Sequence, residues 1–229
     1  MINKNESFIN GISLFATMKE KTLKIRQKCR HVLGFREMYR AKEKAKDPHK
    51  VKVNSLLASY TRTRKVGYAL ILDSEELVTT KALVRAGMKK EHIEIPNPFI
   101  CHKINRKHKN SYDHLLSEHL EMVKETGQEA YSIAFFDFCC SLDGNSLVQP
   151  LEDINNYFKY YLPKHDSILA VTICKRNVNH NGNSDLNRLD SKITNSAYNY
   201  GYNALKEPVG YPYNNMYVVF YRILKEDET

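Results

Sequence analysis

Apolar runs and amphipathic stretches alternate along this chain. Residues 66–73 (VGYALILD), 130–138 (AYSIAFFDF), 167–174 (SILAVTIC) and 216–224 (MYVVFYRIL) are nearly unbroken apolar segments. Their length and β-branched and aromatic content predict strands buried on both faces, and hence a mostly parallel sheet. A shorter strand is predicted at 92–96 (HIEIP), closed by Asn97-Pro98. Between the strands the period changes to that of helices. Leu77, Ala82, Leu83 and Val84 lead to a stop at Gly87. Leu115, Leu116, His119, Leu120 and Val123 share a face within 112–126, ahead of Gly127, and Ile154, Tyr157, Phe158 and Tyr161 share one within 151–162. These spacings fit helices with one buried stripe. A further helix is predicted over 191–204. Strand, helix, glycine stop and strand within about thirty residues make a βαβ unit. The Asn-rich stretch 176–192 reads as a long loop or lid.

The beginning of the chain is different. In 19–52 basic residues surround Leu23, Ile25, Val32, Leu33, Phe35, Met38 and Tyr39, which predicts one or two basic amphipathic helices. Asp47-Pro48 is expected to end them, because the residue before proline is pushed out of the α region. The resulting division is a basic helical extension over 1–60 and an α/β Rossmann-like domain over 61–229.

Composition adds charge and a compartment. Over 229 residues, 35 Lys and Arg stand against 26 Asp and Glu, a formal net charge of +9. That excess, concentrated in 19–52, in 102–109 and at Arg62, Arg64 and Lys65, points to an anionic partner. The expected nucleic-acid contacts are Arg26, Lys28, Arg30, Arg36, Arg40, Arg62, Arg64, Lys65, Lys175 and Arg176, and tyrosines among them offer rings for stacking. The alternative reading is a solvated basic face, and the N-terminal helices could also dock on a protein. The five cysteines contain no CxxC pair, which argues against a disulfide framework or structural zinc. No membrane span or secretory signal is predicted, and an intracellular, reducing, cytoplasmic setting is expected. His114 and His119 are five apart, a spacing that does not share a helix face, so no metal is expected.

In a parallel α/β sheet ligands bind at the carboxyl ends of strands, near the point where strand order reverses. Those ends carry Asp73-Ser74-Glu75, Asn97, and Asp137-Phe138-Cys139-Cys140. Each aspartate can cap the following helix or serve a ligand, and Cys139-Cys140 reads as packing rather than as a nucleophile. No GxGxxG and no GxxxxGK[ST] follows any strand, which excludes the dinucleotide and P-loop fingerprints.

From about Tyr68 to Leu224 the order of elements, the acidic strand ends Asp73 and Asp137, the polar Asn97 and the closing strand 216–224 resemble a class I S-adenosylmethionine-dependent methyltransferase. The family's glycine-rich loop is absent, with Ser74-Glu75-Glu76-Leu77 in its place. The resemblance implies a Rossmann-like, mostly parallel sheet with an antiparallel C-terminal strand and S-adenosyl-L-methionine as cofactor, held by Asp73, Ser74, Glu75, Asn97 and Phe138. It implies Asp137 as the catalytic residue of a methyl transfer to RNA or DNA. The rival reading is a catalytically silent Rossmann-like module that binds nucleic acid or protein. Methyl transfer needs mainly alignment and desolvation, so lack of a general base does not argue against it.

Overall fold

A computed structural model describes residues 47–63, 67–98, 104–127, 130–138, 140–144, 148–174, 182–209, 211–213 and 216–226. The basic stretch 19–46 and most of the expected nucleic-acid contacts lie outside the described residues. The first element is α1, Pro48–Thr63. Asp47-Pro48 starts a helix here, and whether it also ends one lies outside the described residues: the Asp47 carboxylate accepts a hydrogen bond from the His49 N–H at 2.8 Å, and proline is well suited to the first helical turn. A division between residues 60 and 61 falls inside α1.

The strands are β1 Tyr68–Ile71, β2 Ile93–Pro96, β3 Ser111–Tyr112, β4 Tyr131–Asp137, β5 Pro163–Cys174, β6 Tyr202–Lys206, β7 Tyr211–Tyr213 and β8 Met216–Lys225. The helices among them are α2 Val78–Arg85, α3 Leu116–Thr126, α4 Pro150–Lys159 and α5 Gly182–Asn199. They form one sheet in the order β3-β2-β1-β4-β5-β8-β6, with β7 paired to β8. The pairs from β3 to β5 are parallel. β8 runs antiparallel to β5, Ser167 facing Ile223 and Cys174 facing Met216, and β6 runs antiparallel to β8. The mostly parallel sheet with an antiparallel C-terminal strand matches the sequence expectation.

Strand alternation sends each apolar run to two cores. Leu70, Ala134, Phe136, Leu169 and Val171 meet Leu120, Ile154, Tyr157, Leu189 and Ile193 of α3, α4 and α5 on one face. Ala69, Ile71, Ile133, Phe135 and Ala170 meet Val53 and Leu57 of α1 and Leu83 of α2 on the other.

The expectation of a loop over 176–192 is corrected in part, because α5 begins at Gly182. Asn and Ser are poor helix formers, yet Leu186, Leu189, Ile193 and Ala197 recur three or four residues apart, and Leu189, Ile193 and Ala197 are fully buried. Tertiary burial of that stripe outweighs propensity. The helix expected to reach residue 204 stops at Asn199, where Gly201 at φ 76° turns the chain into β6. Among the described residues no helix is long and apolar enough to cross a membrane.

Candidate functional site

Strand order reverses beside β1: the chain leaves β1 for β2 and β3 on one side, then crosses to β4 and β5 on the other. The carboxyl ends of β1 and β4 flank that reversal, where a Rossmann-like sheet opens a crevice. Asp73, Asn97 and Asp137 all lie on this edge.

Asp73 is 2% exposed. Its carboxylate accepts the N–H and the hydroxyl of Thr80, each at 2.8 Å, and the N–H of Ser74 at 2.9 Å. A buried carboxylate needs such donors, and the N–H of a first helical turn has no partner within the helix. Asp73 thus fixes the start of α2. The turn between them closes through the Leu77 N–H to the Ser74 carbonyl at 2.9 Å. Leu77 stands at φ 52°, ψ 42°, in the left-handed region that glycine adopts freely, and its side chain is packed in the core. Ser74, Glu75 and Glu76, all partly exposed, form the outer side of the turn. On the neighbouring strand end Asn97 donates from Nδ2 to the Asp73 carbonyl at 3.2 Å, tying the two ends together.

Asp137 closes β4 on the face covered by α1. There the Lys50 ammonium lies 2.6 Å from Asp137 Oδ2, with both side chains about nine-tenths buried, at 10% and 9% exposure. One turn further along α1, Asn54 accepts the hydroxyl hydrogen bond of Thr79 from α2 at 3.0 Å, both residues being buried. Asn54 Nδ2 has no hydrogen-bond partner, nor has Thr172 Oγ1, which sits on β5 in register with Asp137. Phe138 is buried, its ring 5.9 Å from that of Phe136 in the opposite core. Cys140 holds the exit of β4 through its carbonyl, which accepts the Cys174 N–H at 2.9 Å.

The structure thus gathers Asp73, Ser74, Glu75, Asn97 and Asp137 on one edge, with Phe138 behind it. Arg62 stands apart: it is exposed near the end of α1 and lines a pocket of about 360 Å³ with Thr61, Ala86, Gly87, Met88, Lys89 and His92. That pocket adjoins the start of β2, the end of the sheet away from Asp73 and Asp137. Arg26, Lys28, Arg30, Arg36, Arg40, Arg64, Lys65, Lys175 and Arg176 lie outside the described residues.

Sequence reasoning missed Lys50, Asn54, Thr79, Thr80 and Thr172. A signal existed for the α1 pair: Lys50 and Asn54 are four apart and interleave with Val53 and Leu57, so two polar residues share a helix face with an apolar stripe. A second buried polar cluster sits under α3, where Glu94 accepts the Tyr131 hydroxyl at 2.5 Å and His119 Nε2 lies 2.9 Å from the same oxygen. Burial, followed by the charge of Glu94, holds the Tyr131 hydroxyl far above its ordinary range. Among the described residues no group of three His, Cys, Asp or Glu side chains is placed to hold a metal ion.

No protein-family model matches the sequence, and no curated protein matches it. Solved structures do match its fold. The N-methyltransferase NodS from Bradyrhizobium japonicum WM9 superposes with TM-score 0.50 at 11% identity, covering 79% of this chain and 99% of NodS. The O-methyltransferase TomG from Streptomyces achromogenes, solved in complex with SAM, gives TM-score 0.49 at 14% identity over 77% of this chain and 80% of TomG. A ribosomal protein L11 methylase from Lactobacillus delbrueckii subsp. bulgaricus gives 0.47 at 6% identity over 78% and 80%. The strand order, the antiparallel β8 between β5 and β6, and the likeness to NodS together make this the class I methyltransferase fold.

Proposed function

We propose that this chain binds S-adenosylmethionine at the carboxyl edge of β1, β2 and β4 and transfers its methyl group to a nucleic acid. The observation that carries the reading is the reversal of strand order beside β1, with polar strand-end residues Asp73, Asn97 and Asp137 placed around it. The residues present fit the cofactor. Leu77 supplies the left-handed turn for which the family uses glycine, and because its side chain is packed in the core, Ser74 and Glu75 form the outer side of that turn. Bound there, the cofactor supplies an electrophilic methyl carbon on a sulfonium sulfur.

Each residue then has a stated task. Asp73 fixes the turn by capping α2, so that Ser74 and Glu75, on its outer side, stand beside the methionine portion. Asn97 offers a short amide to the ribose hydroxyls, where an acidic residue is usual. Asp137 would accept a hydrogen bond from the N–H or O–H of the acceptor and take up the proton that atom loses on methylation, which raises its nucleophilicity. Phe138 backs the strand end from within the core. The excess of basic residues favours an anionic acceptor, and nucleic acid is the one whose backbone it suits.

Calorimetric titration of the full chain with S-adenosylmethionine and S-adenosylhomocysteine tests this. Micromolar binding is expected, and Asn97→Ala is expected to weaken it about tenfold by removing a hydrogen-bonding group worth about 1.4 kcal/mol. A folded protein that gives no heat with either ligand overturns the enzyme and leaves the silent binding module, for which the non-glycine residue at 77 is the favouring observation.

A further inference from the structure

Lys50 and Asp137 join α1 to the end of β4 through a buried ion pair at 2.6 Å. Such a pair is a poor choice if its task is only to fasten a helix. Taking two charges out of water is costly, their attraction offsets that only with good geometry and further hydrogen bonds, and apolar residues of similar volume do as well. α1 already has such anchors, since Val53 and Leu57 are buried in the core shared with the sheet and Asn54 is bonded to Thr79 at 3.0 Å. The ion pair also sits beside the reversal of strand order rather than elsewhere on α1. Around it the polar groups are not saturated: Thr172 Oγ1, beside Asp137 in register, and Asn54 Nδ2, one turn from Lys50, are buried without partners. Two of the seven such atoms among the described residues thus flank the ion pair, one on the neighbouring strand and one a helical turn away, and each can take a further polar group.

We propose that Lys50 is the positioning residue of Asp137: it orients the carboxylate at the point of methyl transfer and balances its charge against that of the cofactor's sulfonium. The inference rests on the reading of this edge as a cofactor site. The cofactor carries a positive sulfur before transfer and a neutral thioether after it. An Asp137 left without its cation favours the sulfonium form, whereas the Lys50–Asp137 pair presents a nearly neutral wall that tolerates both.

The test is the ratio of affinities for S-adenosylmethionine and S-adenosylhomocysteine, measured by calorimetry on the full chain, with thermal melting as the check on folding. In Lys50→Met the ratio is expected to shift about three- to tenfold toward S-adenosylmethionine, a Coulomb effect at intermediate dielectric. Lys50→Arg restores the original ratio, and Asp137→Asn shifts it the other way. A purely structural ion pair moves both affinities together, so an unchanged ratio in a folded Lys50→Met protein overturns the inference and leaves the cofactor reading standing. Wild-type protein that binds neither ligand overturns the cofactor reading itself, and the inference with it. If Lys50→Met does not fold, Asp137→Asn decides alone: no shift in its ratio rejects the proposal.

Discussion

Asp153 shows what burial does to a single carboxyl group. It sits in the first turn of α4 at 4% exposure, and desolvation, with Glu152 adding repulsion, raises its pKa to about 7. The folded-state value lies above the unfolded one. Its contribution to stability is therefore full below the ordinary carboxylate range and is lost as pH rises from about 4 to about 7. Asp153→Asn removes the ionisation. Its melting temperature is expected to match or fall slightly below wild type near pH 4 and to exceed it at pH 8, by the equivalent of roughly 2–4 kcal/mol. Melting curves across that range with a constant difference between the two proteins reject this account. Leu77 gives the opposite lesson. Its left-handed backbone costs roughly 1–2 kcal/mol, and burying its side chain returns about as much or more, so the strained residue is retained.

At the scale of elements, α1 is where sequence and structure part most usefully. The sequence assigns 1–60 to an appendage, but Val53 is 1% and Leu57 0% exposed, packed against β1 and β4 residues. The Leu57 side chain fills space between α1 and the sheet, so Leu57→Ala is expected to lower unfolding free energy by about 2–4 kcal/mol in denaturant titrations. A loss under about 0.5 kcal/mol means that α1 is not part of the cooperative unit. β1, β2, β4, β5 and β8 were legible, four of them because apolar runs admit little else, and Asp73, Asn97 and Asp137 were legible because their strands end there; the short β3, β6 and β7, which lack such runs, were not. The partners of those residues were not: Thr80 on Asp73 and Lys50 on Asp137 are matters of which helix packs over which strand end.

At the scale of the whole molecule, the formal charge of +9 is the property most open to measurement. If the acceptor is nucleic acid, binding of a single-stranded RNA by the full chain is expected to weaken steeply with salt. Neutralising only three or four phosphates of a single strand lowers affinity about twenty- to fiftyfold between about 50 and 200 mM salt. Filter binding that finds no such slope moves the acceptor toward a small molecule or protein. Arg62, the one expected contact among the described residues, lies at the other end of the sheet from Asp137. An RNA that touches both must run along the side of the fold rather than end at the transfer edge.

The sequence by itself determined the fold class and the strand ends, because a period of two or of 3.6 and the residue that closes an apolar run are local properties that survive in one dimension. Tertiary structure alone decided that α5 forms where Asn and Ser predominate, that Asp47-Pro48 opens a helix, and that Lys50 meets Asp137 across 87 positions of chain. Each of those depends on a surface supplied by a distant segment: a face that buries Leu189 and Ile193, a sheet that receives Val53 and Leu57, and a strand end that takes up a buried cation. Burial energy is gained only when both surfaces are present, and no window along the chain contains both.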